Sequence, residues 1–399
     1  MIKIENISFD HCIKCTVCTM YCPVSQATHL FPGPKVSGPD AERIRKKNPE
    51  LVDSSLKYCT NCKRCEIACP SDVHISELIQ KAKWKYSKIY WFRPRDFFMS
   101  RTDIVGTMAT LFSRLTNFIL SLKITKALMR IFLKIPFNTG FPAYAKSTFE
   151  KIFKKEIMPS QKEFEKKITY FHGCFVNYND NKLGREFVKV MNSLGYGVEI
   201  KKEKCCGVPL IANGYIEKAK KNAEYNIASF KDSDSKIVTS SSSCAFALKH
   251  EYSNFLELDN SSIADRVEFV TKFIYREFLT GNKPKMNSLG IRVAYHSPCH
   301  LERMGGVMYT LGLLKEIPGL DLVVLNSECC GIAGTYGFKN EYYNVSQSIG
   351  KNLFNLIEKA EPEFVITDCE TCKLQIEMNT RYKVYHPVSL VAMALDSKY

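Results

Sequence analysis

Cysteine is the residue type through which this 399-residue chain is best equipped to do chemistry, because its 17 cysteines are grouped at regular spacings. Eight of them form two runs, at residues 12–23 and 59–70, and both runs have the spacing C-x2-C-x2-C-x3-C-P. Gaps of two residues let three thiolates wrap one corner of a cubane iron–sulfur cluster, while the fourth cysteine points to another cluster. Zinc sites instead use pairs of ligand pairs, so the spacing predicts two 4Fe-4S clusters, as in bacterial ferredoxins.

The exchange of fourth cysteines between the runs divides the eight ligands into two sets. Cluster 1 is assigned to Cys12, Cys15, Cys18 and Cys69. Cluster 2 is assigned to Cys59, Cys62, Cys65 and Cys22. The proline that closes each run ends the ligand loop and fixes the direction in which the chain leaves.

The other nine cysteines lie in an internal repeat between residues 166 and 399, whose copies are offset by 124 to 128 residues. The anchors of the first copy are Cys174, Cys205, Cys206 and Cys244, and those of the second are Cys299, Cys329, Cys330, Cys369 and Cys372. Apolar strands precede the anchors and helical stripes lie between them, so each copy is predicted to be three strand–loop–helix units around a parallel sheet. Because the carboxyl ends of parallel strands share one edge, the cysteines of a copy should meet there.

The two copies offer different ligand sets. Five thiols in the second copy are one more than a cubane cluster or a zinc ion takes, and they predict a bound metal, either an iron–sulfur cluster of unusual build or zinc. A redox disulfide and an empty site are the alternatives. The first copy has Ser241 in place of Cys369, so its four thiols are either a cluster site or a degenerate structural copy. The nearby His172, His296 and His300 are not included among the predicted ligands.

These positions predict an α+β multidomain chain of four segments. Residues 1–80 form an α-helical ferredoxin-type domain with two 4Fe-4S clusters, and residues 81–165 form a basic amphipathic helical segment. Residues 166–285 and 286–399 are the two repeated α/β cysteine-rich domains with parallel sheets.

The helical segment carries a strong positive charge. Between residues 81 and 135 there are twelve Lys or Arg and two acids, in a chain whose formal net charge is +15. Apolar residues recur at helical spacing along residues 104–122 and 124–135, with lysines and an arginine opposite the second stripe. This pattern predicts that residues 104–135 contact an anionic membrane surface, or pack on this protein or a partner subunit. The aromatic residues nearby that suit a membrane interface are Trp84, Trp91, Phe92, Phe97 and Phe98.

Several classes of function lack their sequence signals. No apolar run is long enough for a membrane-spanning helix, and no signal peptide is recognised, so a cytosolic or inner-surface location is expected. Thiols grouped as ligands suit a reducing compartment. No nucleic-acid recognition motif accompanies the basic segment, and no nucleic-acid partner is predicted. Neither G-x-G-x-x-G nor a P-loop is present, so we expect electron transfer rather than hydride transfer from a substrate.

With these residues in view, the sequence resembles the C subunits of anaerobic glycerol-3-phosphate dehydrogenases. The likeness runs nearly end to end, and it rests on literal strings at residues 12–18, 58–66, 171–178, 204–214, 329–338 and 365–372. The wider family joins a ferredoxin domain to paired Cys-Cys-Gly domains, as in subunits of heterodisulfide reductase and of lactate or glycolate oxidases.

The resemblance implies an iron–sulfur electron-transfer subunit in an enzyme of three subunits. The flavin-containing A and B subunits would oxidise glycerol 3-phosphate, and this chain would pass electrons toward the menaquinone pool. It would lie peripherally on the cytoplasmic side of the inner membrane, and no catalytic residue is assigned to it. Two alternatives stay open. One is a heterodisulfide-reductase-like subunit, which Ser241 disfavours, or a lactate/glycolate oxidase-like iron–sulfur subunit, and the other is a basic binding protein with structural metals.

Overall fold

The computed structural model describes residues 9–48, 51, 53–87 and 93–396. Two of the predicted interface aromatics, Trp91 and Phe92, lie outside these described residues. The described N-terminal unit is built of short helical elements around the cysteine runs. They are Phe9–His11, Val17–Met20, Pro23–Ala27, Val36–Asp40, Ala41–Lys47, Ser54–Tyr58, Arg64–Ile67 and Ile75–Ser87. The last helix continues across the boundary predicted at residues 80 and 81, so the N-terminal unit and the next segment share it.

The basic segment is helical, as predicted. Its helices are Pro94–Ser100, Thr102–Leu111, Ser113–Ser121, Lys123–Leu133, Phe149–Ile152, Phe153–Ile157 and Met158–Gln161. Within the described ranges, no single helix is long and apolar enough to cross a membrane. Thr102–Leu111 and Ser113–Ser121 pass that test of length and composition only as a pair, and they meet at a bend of 103°.

Two four-stranded parallel sheets form the repeat. The first contains β1 (Lys166–Phe171), β2 (Tyr196–Ile200), β3 (Ile237–Thr239) and β4 (Val267–Phe269), in the order β2-β1-β3-β4. The second contains β5 (Ile291–His296), β6 (Leu320–Val324), β7 (Phe364–Thr367) and β8 (Val384–Tyr385), in the equivalent order β6-β5-β7-β8. Each sheet therefore has one strand more than the three predicted, because β4 and β8 are too short to show a strand pattern in the sequence.

Helices cover both sheets. Those of the first copy are Gly173–Tyr178, Asn181–Ser193, Val208–Ala212, Ile216–Phe230, Ser242–Phe246, Ala247–Glu251, Tyr252–Asn254, Ser261–Ala264 and Val270–Leu279. Those of the second copy are Cys299–Arg303, Val307–Lys315, Tyr336–Phe338, Asn340–Ala360, Glu370–Asn379 and Pro387–Ala394. In both sheets the first strand is flanked by the second and third, so the loops after β1 and β3, and after β5 and β7, border a topological switch point where such sheets bind ligands.

The copies share one hydrophobic core. Helix Asn181–Ser193 packs on Pro387–Ala394, and Val270–Leu279 packs on Val307–Lys315. Buried side chains such as Phe187 interlock there, and full burial of such a side chain contributes about 1.5–3 kcal/mol. The ferredoxin-type unit packs on the second copy, since Cys329 lies in the same buried cluster as the N-terminal cysteines. The packing therefore sets the cysteine sites at fixed positions relative to one another.

Candidate iron–sulfur and metal sites

The two N-terminal runs fold into the same turn. The residues on each side of the second cysteine have left-handed backbone angles in both runs: φ is 61° at Lys14 and 64° at Thr16, and 55° at Asn61 and 64° at Lys63. None of these residues is glycine, and left-handed backbone at other residue types costs roughly 1–2 kcal/mol each. Such strain persists where the surrounding structure requires it, and here the turn brings three thiols of one run to one point.

The thiols assigned to cluster 1 lie together. Burial raises the pKa of Cys18, and the thiols of Cys12, Cys69 and Cys15 are close enough to raise it further. The backbone N–H of Val73 donates to the Cys69 sulfur at 3.3 Å. Four converging thiols with a backbone donor fit a cubane cluster, although the ligand assignment itself stays a prediction.

The thiols assigned to cluster 2 form a second group. Burial raises the pKa of Cys22 to about 12, and its charged neighbours are Cys62 and Cys59. Burial also raises the pKa of Cys65, whose thiol neighbours are Cys62, Cys59 and Cys22. The fourth cysteine of the first run thus sits with three cysteines of the second, which is the exchange that the spacing predicts.

Arg64 connects the second thiol group to the second cysteine-rich copy. Its guanidinium donates to the backbone oxygen of Ser327 at 2.8 Å and to the Ser327 hydroxyl at 2.9 Å, and it pairs with Glu302 at 3.5 Å. Burial lowers the pKa of Arg64, but the surrounding anions, with Cys329 first, raise it overall. Cys62 is likewise a near neighbour of Cys329. A fixed positive charge therefore stands between two groups of thiols.

In the first copy, four thiols form a continuous row at the carboxyl edge of the sheet. The thiol of Cys205 raises the pKa of Cys174, and hydrogen bonds from Cys174 and Cys206 lower that of Cys205. The thiols of Cys205 and Cys244 raise the pKa of Cys206 in turn. The predicted convergence of Cys174, Cys205, Cys206 and Cys244 is therefore what the structure contains, while their role as metal ligands stays a prediction.

Thr102 is a contact of this row that the sequence did not indicate. Its hydroxyl lies against the thiols of Cys174 and Cys205. Among the described residues it has no other hydrogen-bond partner. Thr102 belongs to the basic helical segment, and nothing in the local sequence indicates a contact with cysteines so far along the chain.

In the second copy, five thiols meet and an imidazole joins them. The sulfur atoms of Cys330 and Cys372 are 3.2 Å apart, and His296 lies with them closely enough for all three to bind one metal ion. Apart from the Cys330 thiol, neither ring nitrogen of His296 has a hydrogen-bond partner within the described chain. A buried imidazole beside two thiols fits a soft or borderline metal, so His296 joins the candidate ligands that the sequence left out.

The other three thiols surround this centre. Hydrogen bonding from Cys372 lowers the pKa of Cys369 to about 6. The charges near the half-buried Cys299 include Cys62, Cys369 and Cys330. Gly331 (φ +85°) follows Cys330, and a Cβ at this position would lie 2.1 Å from the Ser346 carbonyl oxygen, so only glycine fits the turn that presents the cysteine pair.

Ser241 has a structural role where the second copy has Cys369. Its hydroxyl accepts from the backbone N–H of Cys244 at 3.3 Å and so caps helix Ser242–Phe246. It also donates to the Glu370 carboxylate of the other copy at 3.1 Å. The first copy therefore uses this position to fix a helix and an interface, which leaves four thiols and no fifth.

The amphipathic helices leave their apolar faces uncovered by the rest of the described chain. The exposed large side chains of this segment include Ile104, Met108, Leu111, Phe112, Leu115, Phe118, Ile119, Ile124, Leu128, Ile131 and Phe132. Helix Lys123–Leu133 has no buried residue. One alternative drawn from the sequence was that these faces pack on the protein itself. The described structure does not contain such packing.

Comparison with protein families matches both kinds of domain. A family model described as a 4Fe-4S dicluster domain matches residues 8–73. A model described as a cysteine-rich domain matches residues 168–249 and again 293–377. The chain is thus an iron–sulfur protein that joins a ferredoxin-type domain to two cysteine-rich domains, and the predicted fold class is confirmed.

Sequence relatives narrow this class. The chain is 47% identical over 398 residues to the C subunit of the anaerobic glycerol-3-phosphate dehydrogenase of Escherichia coli strain K12, an alignment that covers 98% of this chain and 100% of the relative. It belongs to the family of anaerobic glycerol-3-phosphate dehydrogenase C subunits, as its sequence strings predicted.

More distant relatives match at lower identity. The B subunit of the CoM/CoB fumarate reductase of Methanothermobacter marburgensis is 26% identical over 382 residues, covering 92% of this chain and 67% of the relative. Lactate utilization protein A 2 of Bacillus cereus is 28% identical over 245 residues, covering 58% of this chain and 99% of the relative. A crystal structure of a hypothetical protein from Helicobacter pylori superposes with a TM-score of 0.50 at 10% identity, covering 93% of this chain and 69% of the other, and it shares the fold alone.

Proposed function

We propose that this chain is the electron-transfer subunit of an anaerobic glycerol-3-phosphate dehydrogenase. It receives electrons from a flavin-containing partner, the A and B subunits, and passes them toward a menaquinone-type acceptor. The observation that carries the proposal is that the thiol groups of the N-terminal runs share one buried cluster with Cys329 of the second cysteine-rich copy. Cys62 connects them, since it belongs to the second N-terminal group and is a near neighbour of Cys299 and Cys329.

Two 4Fe-4S clusters, held by the eight N-terminal cysteines, would supply one-electron redox chemistry when bound. The protein residues set the conditions for that chemistry. Burial disfavours negative charge on the thiols, whereas the backbone N–H that donates to the Cys69 sulfur favours it. Arg64 offsets negative charge between the second group and the second copy. The five thiols and His296 of the second copy would hold a further metal centre, iron–sulfur or zinc.

The exposed helical faces support attachment to the cytoplasmic surface of the inner membrane. Ile131 and Phe132 are 67% and 76% exposed, and Lys123, Arg130 and Lys134 on the same segment are exposed as well. Apolar side chains bordered by lysine and arginine are typical of helices that lie in an anionic membrane interface. The Phe98 ring, 54% exposed, adds an aromatic residue on the neighbouring helix.

The test uses the assembled complex of all three subunits, purified without oxygen. Replacing Cys62 with Ser should abolish nearly all glycerol-3-phosphate-driven reduction of a soluble menaquinone analogue, because the thiol group nearest the second copy loses a ligand. Reduction of an artificial dye at the flavin-containing partner should persist. The matched control is Ser71→Ala, which alters the residue just after the same cysteine run and outside the thiol groups. Wild-type quinone reduction by the Cys62→Ser complex would contradict the proposal.

The same preparation tests membrane attachment. The double substitution of Ile131→Glu and Phe132→Glu should release the complex from liposomes that contain anionic lipid, since it places two carboxylates on the apolar face. Met308→Glu, at another exposed apolar position (79% exposed), is the control and should leave sedimentation with liposomes unchanged. Equal liposome binding by both variants would show that this face does not hold the membrane.

A further inference from the structure

A cavity of about 950 Å³ lies directly beside the second N-terminal thiol group. Its walls come from several parts of the chain: the Cys59 loop, the start of helix Pro94–Ser100, residues 211–216 of the first copy and the Tyr336 turn of the second. This volume is within the range of small-molecule sites in proteins. Because Cys59 itself lines it, a bound molecule would be next to the thiol group assigned to cluster 2.

Three tyrosines form an aromatic wall in this cavity. The rings of Tyr336 and Tyr342 stack at 4.5 Å with an angle of 8° between their planes, and Tyr58 meets Tyr342 edge-on at 5.7 Å. Tyr336 is only 7% exposed, and its hydroxyl has no hydrogen-bond partner among the described residues. The Cys59 thiol is near enough to Tyr336 to affect its electrostatics. A buried hydroxyl without a partner is costly, and an acceptor atom on a ligand would satisfy it.

The charged side chains around the cavity are mostly paired with one another. The Arg95 guanidinium donates to Glu341 at 2.7 and 2.9 Å and to Asp96 at 2.9 Å. Lys339 pairs with Asp96 at 3.2 Å and donates to Asn213 at 2.7 Å. Because these cations already form ion pairs with carboxylates of the protein, they do not need an anionic ligand, and the cavity favours a neutral one.

Lys83 differs from the paired cations. Its ammonium donates to the backbone oxygen of Cys59 at 2.8 Å, and an ammonium has three N–H donors. Lys83 and Tyr336 thus give the cavity two donors beside Cys59. A planar ligand with carbonyl acceptors would match both the donors and the aromatic wall.

The remaining wall connects the cavity to the exposed apolar face. Phe132, Leu133 and Lys134, at the end of helix Lys123–Leu133, line the cavity, and the rest of that helix presents Ile124, Leu128 and Ile131 to solvent. A ligand that partitions into lipid would reach the cavity along this surface without crossing water.

We propose that this cavity binds the head group of a quinone, with Tyr336 and Lys83 donating hydrogen bonds to its carbonyl oxygens. The inference rests on the proposed transfer of electrons to a quinone and identifies the cavity where that transfer would occur. Reduction of the quinone takes two electrons and two protons and forms two O–H bonds. The electrons come from the secondary alcohol oxidised on the flavin-containing partner and enter past Cys59, and the protons come from solvent.

The test measures binding of a hydroxyquinoline N-oxide, a quinone analogue whose fluorescence is quenched when it binds, to the full chain carrying its iron–sulfur clusters in detergent micelles. Ala212→Trp, which fills the cavity from an exposed helix end, should abolish saturable quenching. Tyr336→Phe should weaken binding about tenfold, the effect of losing one hydrogen bond. The matched controls are Ala228→Trp, on an exposed helix position away from the cavity, and Tyr196→Phe, which removes a hydroxyl bonded to Glu277.

Iron content and the visible spectrum establish that each variant is folded and loaded. Wild-type affinity in both cavity variants would overturn the site, and so would saturable binding of flavin mononucleotide there in place of the quinone analogue. Experiments on the complex of all three subunits distinguish failure of the proposed site from failure of the proposed function. If it reduces a soluble quinone at the same rate with and without Ala212→Trp, the site is wrong and the proposed function stands; if the wild-type complex reduces no quinone, both fail.

Discussion

The two cysteine-rich copies have the same sheet order and the same four anchor thiols, yet they differ at two positions that face the site. β1 ends in Phe171, and the equivalent residue at the end of β5 is His296. Ser241 in the first copy stands where Cys369 stands in the second. The second copy therefore gains an imidazole and a thiol on an unchanged scaffold. This difference teaches that the fold of the repeat does not depend on a complete ligand set.

The first copy uses the same positions for packing. Phe171 is fully buried and meets Phe230 at 5.7 Å between ring centroids, whereas His296 is 1% exposed and, among the described residues, only the Cys330 thiol is a polar partner for its ring. A buried imidazole whose polar partner is one thiol, a weak hydrogen-bonding group, costs free energy that a metal bond would recover. The comparison therefore favours the prediction of metal binding for the second copy and of a structural role for the first.

The ferredoxin-type unit also contacts the thiol groups of the two copies differently. The near neighbours of Cys299 include Cys62 of the N-terminal unit. Those of its counterpart Cys174 are Cys205 and Cys244 of its own copy. The second N-terminal thiol group thus neighbours the copy that has the larger ligand set.

The largest expected effect comes from removing one equivalent thiol from each copy. Cys330→Ser should eliminate the metal held by the second copy, because Cys330 contacts Cys372 and His296 and a hydroxyl is a poor ligand for soft metals. Cys206→Ser, its counterpart in the first copy, should leave metal content nearly unchanged. Iron, zinc and acid-labile sulfide per chain, determined without oxygen, give the result. Equal losses from both variants would end the distinction between the copies.

A smaller effect is expected from giving the second copy the first copy's aromatic residue. His296→Phe removes the imidazole but keeps a ring of similar size, and loss of such a group should lower metal affinity by roughly tenfold to a hundredfold. The rate of metal release to a chelator measures it. His300→Phe serves as the control, because the ring of His300 stacks on Phe246 at 5.0 Å. If His296→Phe releases metal no faster than the control, His296 is a packing residue.

The sequence predicted the repeat and the sites because cysteine spacing is a local signal. Each anchor follows an apolar strand, so the convergence of Cys174 with Cys244, and of Cys299 with Cys372, follows from the parallel sheet alone. The family followed from strings of the same residues. Short strands such as β8, with two residues, have no periodicity that a sequence pattern could reveal.

Contacts between distant segments could not be predicted in this way. Thr102 reaches the first site, and Arg64 reaches Ser327, because separate domains pack together, and no local pattern records which surfaces meet. The apolar stripe from Ile104 to Phe132 was recognised, but only the structure shows that the described chain leaves it uncovered. His296 was visible beside an anchor cysteine, yet a histidine in a turn is usually a packing or solvated residue.

The smallest effect concerns a third pair of equivalent positions, Phe269 and His386, whose rings meet edge-on between the copies with 6.2 Å between their centroids. His386 caps helix Pro387–Ala394 by accepting the Val388 N–H at its Nδ1 atom, at 3.1 Å. Phe269 makes no such cap on helix Val270–Leu279. Burial lowers the pKa of His386 to about 3. Protonation of Nδ1 would remove the acceptor, so only the helix of the second copy should respond to acid.

The sign of the pH dependence follows from the lowered pKa of His386. The unfolded chain, with an ordinary histidine pKa near 6.5, binds the proton first as the pH falls, so stability is lost between about pH 6.5 and 3. From pH 7.5 to 6 the loss is about 0.8 kcal/mol, or about fourfold in the protection of Pro387–Ala394 amides against hydrogen exchange. The conservative variant His386→Asn keeps a capping acceptor that does not titrate and should show no such loss beyond that of helix Val270–Leu279. An equal fall in protection in wild type and His386→Asn would mean that other groups carry the acid sensitivity, and that the two copies do not differ at this position.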